Sequence, residues 1–200
     1  EINIEPLDIL LEPEGRNTAP AVLAACLQAL KEDSEALLLV SPVDHSIPNT
    51  AAFHTAINQG LSSLADGKIV TFGISPTRAE TGYGYLQLSN ASLGSPVPLN
   101  RFVEKPDLIE AQKMLEDGSY LWNAGIFLFR AREMVDAFHA HAPHLVELVE
   151  IAIDTGFADL GFWRLAAGPW LKCESISIDY AVMEKVDNLM VVPFASGWSD

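Results

Sequence analysis

Ala36-Leu37-Leu38-Leu39-Val40-Ser41-Pro42-Val43-Asp44-His45 is an unbroken apolar run of strand length that stops at Ser-Pro and presents a carboxylate just beyond. Apolarity without alternation is what a strand covered on both faces by helices requires. Working backwards, an extended segment at Leu7–Leu11 leads to Asn17 or Thr18, either of which can cap a helix with Pro20 in its first turn. Val22, Leu23, Cys26, Leu27 and Leu30 then share one helical face. Working forwards, Phe53, Ile57, Leu61 and Leu64 have helical spacing from about Thr50, and Asp66-Gly67 turns the chain into an extended Lys68–Ile74. This β-α-β order predicts an α/β fold, a mainly parallel, mixed sheet sandwiched by helices, with ligands outside the carboxyl ends of the strands.

Beyond that unit, Tyr85–Leu88, Leu99–Val103 and Gly125–Phe129 read as strands, and Leu108–Glu116, Arg132–His141, Leu145–Asp154 and Asp179–Val186 as helices. The Ser, Gly, Pro and Asn content of Ser89–Pro98 predicts a surface loop. With 200 residues, 49% of them hydrophobic, the chain is long enough for one sizeable core, and residues 1–200 are taken as one partial domain. A net charge of -15 excludes a basic groove for a nucleic acid polymer, and no apolar window reaches membrane-spanning length. Cys26 and Cys173, without metal-ligand spacing, read as reduced thiols of a cytoplasmic protein. The chain opens at Glu1 and closes at Asp200 inside a polar turn, so both ends are expected to be internal to a longer protein.

Polar and glycine-rich segments sit at the strand ends. Glu12–Pro20 places Arg16, Asn17 and Thr18 at a helix start, which suits a nucleotide's base or ribose and equally a simple cap. Asp44, beyond the apolar strand, can hold a divalent metal against phosphate oxygens or cap a turn. His45 reads as a structural hydrogen-bonding residue. Thr81-Gly82-Tyr83-Gly84-Tyr85 lets backbone and a ring approach a sugar, or forms a turn with aromatics packed beneath it. In Phe102-Val103-Glu104-Lys105-Pro106 a hydroxyl acceptor and a phosphate-directed cation are adjacent, as they are in many surface turns. Asn123 and Gly125 stand at the entry to an apolar strand, Asp179 begins a capped helix, and Asp200 ends the chain. Spacing alone does not bring Asp44 and Asp200 together.

Taken in order, Gly15–Pro20, Pro42–His45, Thr81–Tyr85, Phe102–Pro106, Trp122–Gly125 and Ser177–Lys185 resemble the mannose-1-phosphate guanylyltransferases, closest to the long form that carries a following mannose-6-phosphate isomerase domain. The resemblance covers essentially the whole chain. It implies a Rossmann-like nucleotide-diphospho-sugar transferase fold, truncated at the N-terminus, and the reaction of GTP with mannose 1-phosphate to GDP-mannose and pyrophosphate. It also implies Mg²⁺, with Mn²⁺ satisfying the same donors. By the same resemblance Asp44 and Asp200 hold the metal and, with Lys105 facing the sugar phosphate, form the catalytic set. Glu104 accepts sugar hydroxyls, Gly82, Tyr83, Asn123 and Gly125 line the sugar pocket, and Asp179 is added to it. Arg16, Asn17 and Thr18 lie on the nucleotide side.

Family members begin with a strand and a Gly-rich, Arg- and Lys-bearing phosphate loop that these 200 residues do not contain, so this chain by itself is expected to catalyse poorly or not at all. Rival expectations are a transferase for another hexose 1-phosphate, and a non-catalytic regulatory subunit that binds a sugar nucleotide. A homo-oligomer is left open.

Overall fold

A computed structural model describes residues 5–89, 96–195 and 197–199. In chain order the elements are β1 (Leu10–Leu11), α1 (Thr18–Glu32), β2 (Leu37–Val40), α2 (Thr50–Leu61), β3 (Ile69–Ile74), β4 (Tyr85–Leu88), β5 (Val97–Val103), α3 (Leu108–Asp117), β6 (Tyr120–Arg130), α4 (Ala131–His141), α5 (Pro143–Asp154), β7 (Phe157–Asp159), β8 (Phe162–Arg164), α6 (Ala167–Trp170) and β9 (Leu189–Pro193). Among the described residues no helix is long and apolar enough to cross a membrane.

The main sheet has six described strands in the order β2-β6-β3-β9-β5-β4, and β6 also pairs with β4. Its β3–β9 pair is parallel and its other pairs are antiparallel. The predicted β-α-β unit is nevertheless present in direction, because β2 and β3 both run against β6, which lies between them. The result is a mixed sheet in which β2, β3, β4 and β9 point one way. A smaller sheet, β1-β8-β7, flanks it.

Alternation along the central strands divides the core in two. Ile69, Phe127, Phe129, Leu189 and Val191 pack with α1, α4 and α5 on one face, whereas Val70, Phe72, Ile126, Leu128 and Val192 pack with Ala56 and Phe53 of α2 on the other. Close-packing of α2 needs a glycine: a Cβ on Gly60 would stand 3.1 Å from Val70 Cγ1 and 3.2 Å from Leu128 Cδ2.

Several expectations are corrected. β2 lies at the sheet edge, and Leu37 and Leu39 are exposed because α2 crosses over β6 and β9 instead of over β2. The helix expected over Asp179–Val186 is a single π-turn, Asp179–Met183. Val97 and Pro98, expected in a loop, belong to β5, and residues 90–95 lie outside the described residues. α1 starts where expected: Asn17 Oδ1 accepts from the Thr18 N–H, and Pro20 occupies the first turn. Cys26 and Cys173 are buried and unpaired, and burial pushes the Cys26 thiol up to about 12.

Candidate active site

Beyond the carboxyl ends of β2 and β5 opens a cleft of about 490 Å³, within the range of small-molecule sites. One wall is Ser41, Pro42 and His45 after β2, the floor is Asn123 to Gly125 of β6, and the far wall is Glu104 and Lys105 after β5. Glu12, Asn17 and Thr18 close the side next to α1, and Gly82, Tyr83, Ile178, Asp179 and Trp198 complete the rim.

The floor is a hydrogen-bonded relay. Asn123 is buried, its Oδ1 accepts from Thr71 Oγ1 at 2.9 Å and from the Gly125 N–H at 3.2 Å, and its Nδ2 donates to Asp179 Oδ1 at 3.1 Å. Gly125 has φ 66, a left-handed conformation that glycine adopts without strain. The amide orientation is therefore determined on both sides. Thr18 Oγ1 accepts from the Ile178 N–H at 2.9 Å, which fastens α1 to the segment that carries Asp179.

Glu104 and Lys105 meet the relay from β5. Glu104 keeps only 6% of its side chain exposed and lies 3.2 Å from Lys105 Nζ. Burial raises its carboxyl above the ordinary range, an effect opposed by Lys105 and reinforced by Glu184. Glu184 also accepts the Glu104 N–H at 2.8 Å, tying the end of the π-turn to the strand end. Lys105 takes φ 46 directly before Pro106, a costly backbone state that the Glu184 and Glu104 contacts hold in place. Among the described residues that line the cleft, Lys105 is the one lysine or arginine, against the carboxylates of Glu12, Glu104 and Asp179.

Asp179 carries the clearest titration. Burial, and then the Glu104 charge, raise its carboxyl to about 7. Between the ordinary aspartate range and that value the folded chain holds a proton that the unfolded chain has lost, so stability falls as pH rises through this window and levels off above it. Asp179→Asn mimics the protonated form, so its unfolding midpoint should fall less than that of the native chain from about pH 5 to about pH 8, with a gain of a few kcal/mol at most at the upper end. Parallel slopes in thermal melts of the two proteins would rule this out.

The family model described as nucleotidyl transferase matches residues 2–200. The chain belongs to the nucleotidyl transferase family. The chain is 44% identical over its full length to the xanthan biosynthesis protein XanB of Xanthomonas campestris pv. campestris (strain B100), of which it covers 42%. It is 41% identical to the mannose-1-phosphate guanylyltransferase of Escherichia coli (strain K12), with 96% of this chain and 42% of that protein covered. It thus spans less than half the length of these curated relatives. The solved structure described as mannose-1-phosphate geranyltransferase from Thermus thermophilus superposes with TM-score 0.80 at 38% identity, over 94% of this chain and 53% of that one. The structure described as mannose-6-phosphate isomerase from Helicobacter pylori gives TM-score 0.88 at 31% identity, over 96% and 74%.

In this chain the cleft brings together Asn17, Thr18, Gly82, Tyr83, Glu104, Lys105, Asn123, Gly125 and Asp179 from the predicted site residues. Two of the predicted residues do not line it. Arg16 turns away, donating to Leu171 O at 2.8 Å and pairing with Glu14 at 3.6 Å, so its guanidinium braces α6 instead of facing the cleft. Asp44 is exposed on a bend just outside. Asp200 lies outside the described residues, but the chain immediately before it is fixed: the Ser46 N–H donates to Ser199 O at 2.9 Å and the Ser199 N–H to Ser46 O at 3.1 Å. The stretch after Asp44 thus meets the stretch before Asp200. Among the described residues no three His, Cys, Asp or Glu side chains form a metal cluster.

Sequence reasoning missed Glu12, Gly84 and Trp198 as cleft residues, although Glu12 and Gly84 lay inside quoted motifs. His45, expected to be structural, accepts from Trp198 Nε1 at 3.2 Å and lines the cleft as well.

Proposed function

We propose that the chain is the greater part of a mannose-1-phosphate guanylyltransferase domain, in which a phosphate oxygen of mannose 1-phosphate attacks the α-phosphorus of GTP, forming GDP-mannose and releasing pyrophosphate. The observation that carries this reading is the convergence of a buried carboxylate, Glu104, a lysine, Lys105, and a fixed amide, Asn123, in one cleft of a nucleotidyl transferase fold. Glu104 accepts sugar hydroxyls, Lys105 neutralises the sugar phosphate, and the Asn123 and Gly125 floor sets the sugar's depth. Asn17 and Thr18 stand on the nucleotide side. Such a transfer depends on positioning and charge neutralisation more than on covalent help from the protein.

The one lysine among the described cleft residues does not balance the phosphates, and a divalent cation would supply opposing charge there. Asp44 would hold it, in keeping with Mg²⁺ or Mn²⁺ bound through one or two carboxylates. Asp200 is the second carboxylate in this reading. We assign the protein to the cytoplasm, where GTP is available, and to the supply of a sugar nucleotide for polysaccharide synthesis.

Calorimetric titration with GDP-mannose in the presence of Mg²⁺, with GDP-glucose and UDP-glucose as competitors, tests the reading. Selective GDP-mannose binding that weakens about tenfold or more in Asp44→Ala is expected, the effect of losing one charged contact. Equal binding of UDP-glucose would reassign the substrate, and no binding of any sugar nucleotide would defeat the proposal.

A further inference from the structure

Gly82 and Tyr83 reach the cleft from the loop between β3 and β4, yet their backbone has no ladder to hold it. Glu80, which does not line the cleft, is bonded to Arg78, Thr81 and Gly82 of that loop and to Tyr85 just beyond it. Its Oε1 accepts from the Thr81 N–H at 3.0 Å and the Gly82 N–H at 3.1 Å. Its Oε2 pairs with Arg78, 2.9 Å from NH2 and 3.1 Å from Nε, and its own N–H donates to the hydroxyl of the fully buried Tyr85 at 2.9 Å.

The arrangement continues through aromatic rings. Arg78 lies over Trp122 at 5.3 Å, Trp122 meets Tyr83 edge-on at 5.3 Å, and Tyr83 meets Trp198 at 5.5 Å. Trp198 in turn packs against His45 at 5.4 Å on the opposite wall. Among the described residues, Glu80 is the carboxylate that joins the backbone of the rim to this stack. An oxygen that accepts two adjacent N–H groups fixes both peptide planes, and the guanidinium on its other oxygen sets its direction.

We propose that Glu80, oriented by Arg78, is the positioning residue that fixes the Gly82–Tyr83 rim for the sugar of the bound sugar nucleotide; this rests on the reading of the cleft given above. Glu80 touches no substrate. Its loss frees the rim, so the sugar must order it on binding, and affinity falls without loss of the fold.

The test compares the native chain, Glu80→Ala and Glu80→Gln by titration with GDP-mannose and by near-ultraviolet circular dichroism without ligand. Glutamine keeps an oxygen for the two N–H donors but turns an NH2 toward Arg78, whereas alanine keeps nothing. Glu80→Ala is expected to raise Kd about tenfold and to reduce the Tyr83–Trp122–Trp198 band with the unfolding midpoint unchanged, and Glu80→Gln to fall between it and the native chain on both readouts. Native affinity or a native band in Glu80→Ala overturns the proposal, and fully native behaviour in Glu80→Gln overturns the orienting role of Arg78. Failure of the native chain to bind GDP-mannose defeats the sugar reading instead, and the ligand-free band then decides the role of Glu80.

Discussion

Glu104→Ala should raise the Kd for GDP-mannose by about thirtyfold to a hundredfold, the loss of one desolvated, charge-assisted acceptor of about 2–3 kcal/mol. The carboxylate is nearly enclosed, and Lys105 Nζ stands 3.2 Å away, so in the proposed reading the substitution removes both a sugar contact and the anchor of the lysine. Gly84→Ala should reproduce most of this loss with Glu104 intact. A Cβ there would stand 2.6 Å from Glu104 Oε2, 3.2 Å from Phe102 Cε1 and 3.3 Å from Asn123 Cβ. Of these neighbours the carboxylate is the flexible end, so it is the group that must shift from its present position. Calorimetry on both variants checks the pair. Native affinity in Gly84→Ala would mean that the position of Glu104 is not critical, and native affinity in Glu104→Ala that it does not touch the sugar.

The second large effect is on stability. Trp170 is completely buried, and its Nε1 donates to Glu14 O at 2.7 Å, pinning the loop that leads from Glu12 to the cap of α1. Trp170→Ala should cost about 3–5 kcal/mol, a large part of the roughly 5–15 kcal/mol that holds an ordinary domain together. Trp170→Phe retains the ring contact, loses the hydrogen bond, and should cost about 1–2 kcal/mol. Urea unfolding measures both, and a loss below about 1 kcal/mol in the alanine variant would show that the site collapses around the missing ring.

Local signals were legible wherever the physics is local. Asn17 and Pro20 marked the start of α1, and the spacing of Phe53, Ile57 and Leu61 gave α2, because capping and periodicity act within a few residues. What a neighbour decides was not legible. The leucines of β2 read as doubly covered, yet whether a helix lies above a strand depends on where that helix crosses the sheet. β9, which lies between β3 and β5, passed without notice although its run over residues 189–192 is as apolar as that of β2. The same division runs through the site. Glu104, Lys105 and Asn123 were visible as polar residues at strand ends, whereas the direction of the Arg16 side chain depends on Leu171, 155 positions away.

The bridge between Ser46 and Ser199 implies an order of assembly. His45 and Trp198, which meet across the cleft, are 153 positions apart, so at typical translation rates roughly eight to thirty seconds separate their synthesis. Until β9 and then Trp198 arrive, the emerging polypeptide lacks both the strand between β3 and β5 and the ring that completes the mouth. In the proposed reading, competence to bind is thus acquired together with completion of the sheet and not by the earlier elements alone. A nascent chain released before Trp198 should be compact by proteolysis and yet fail to retain GDP-mannose.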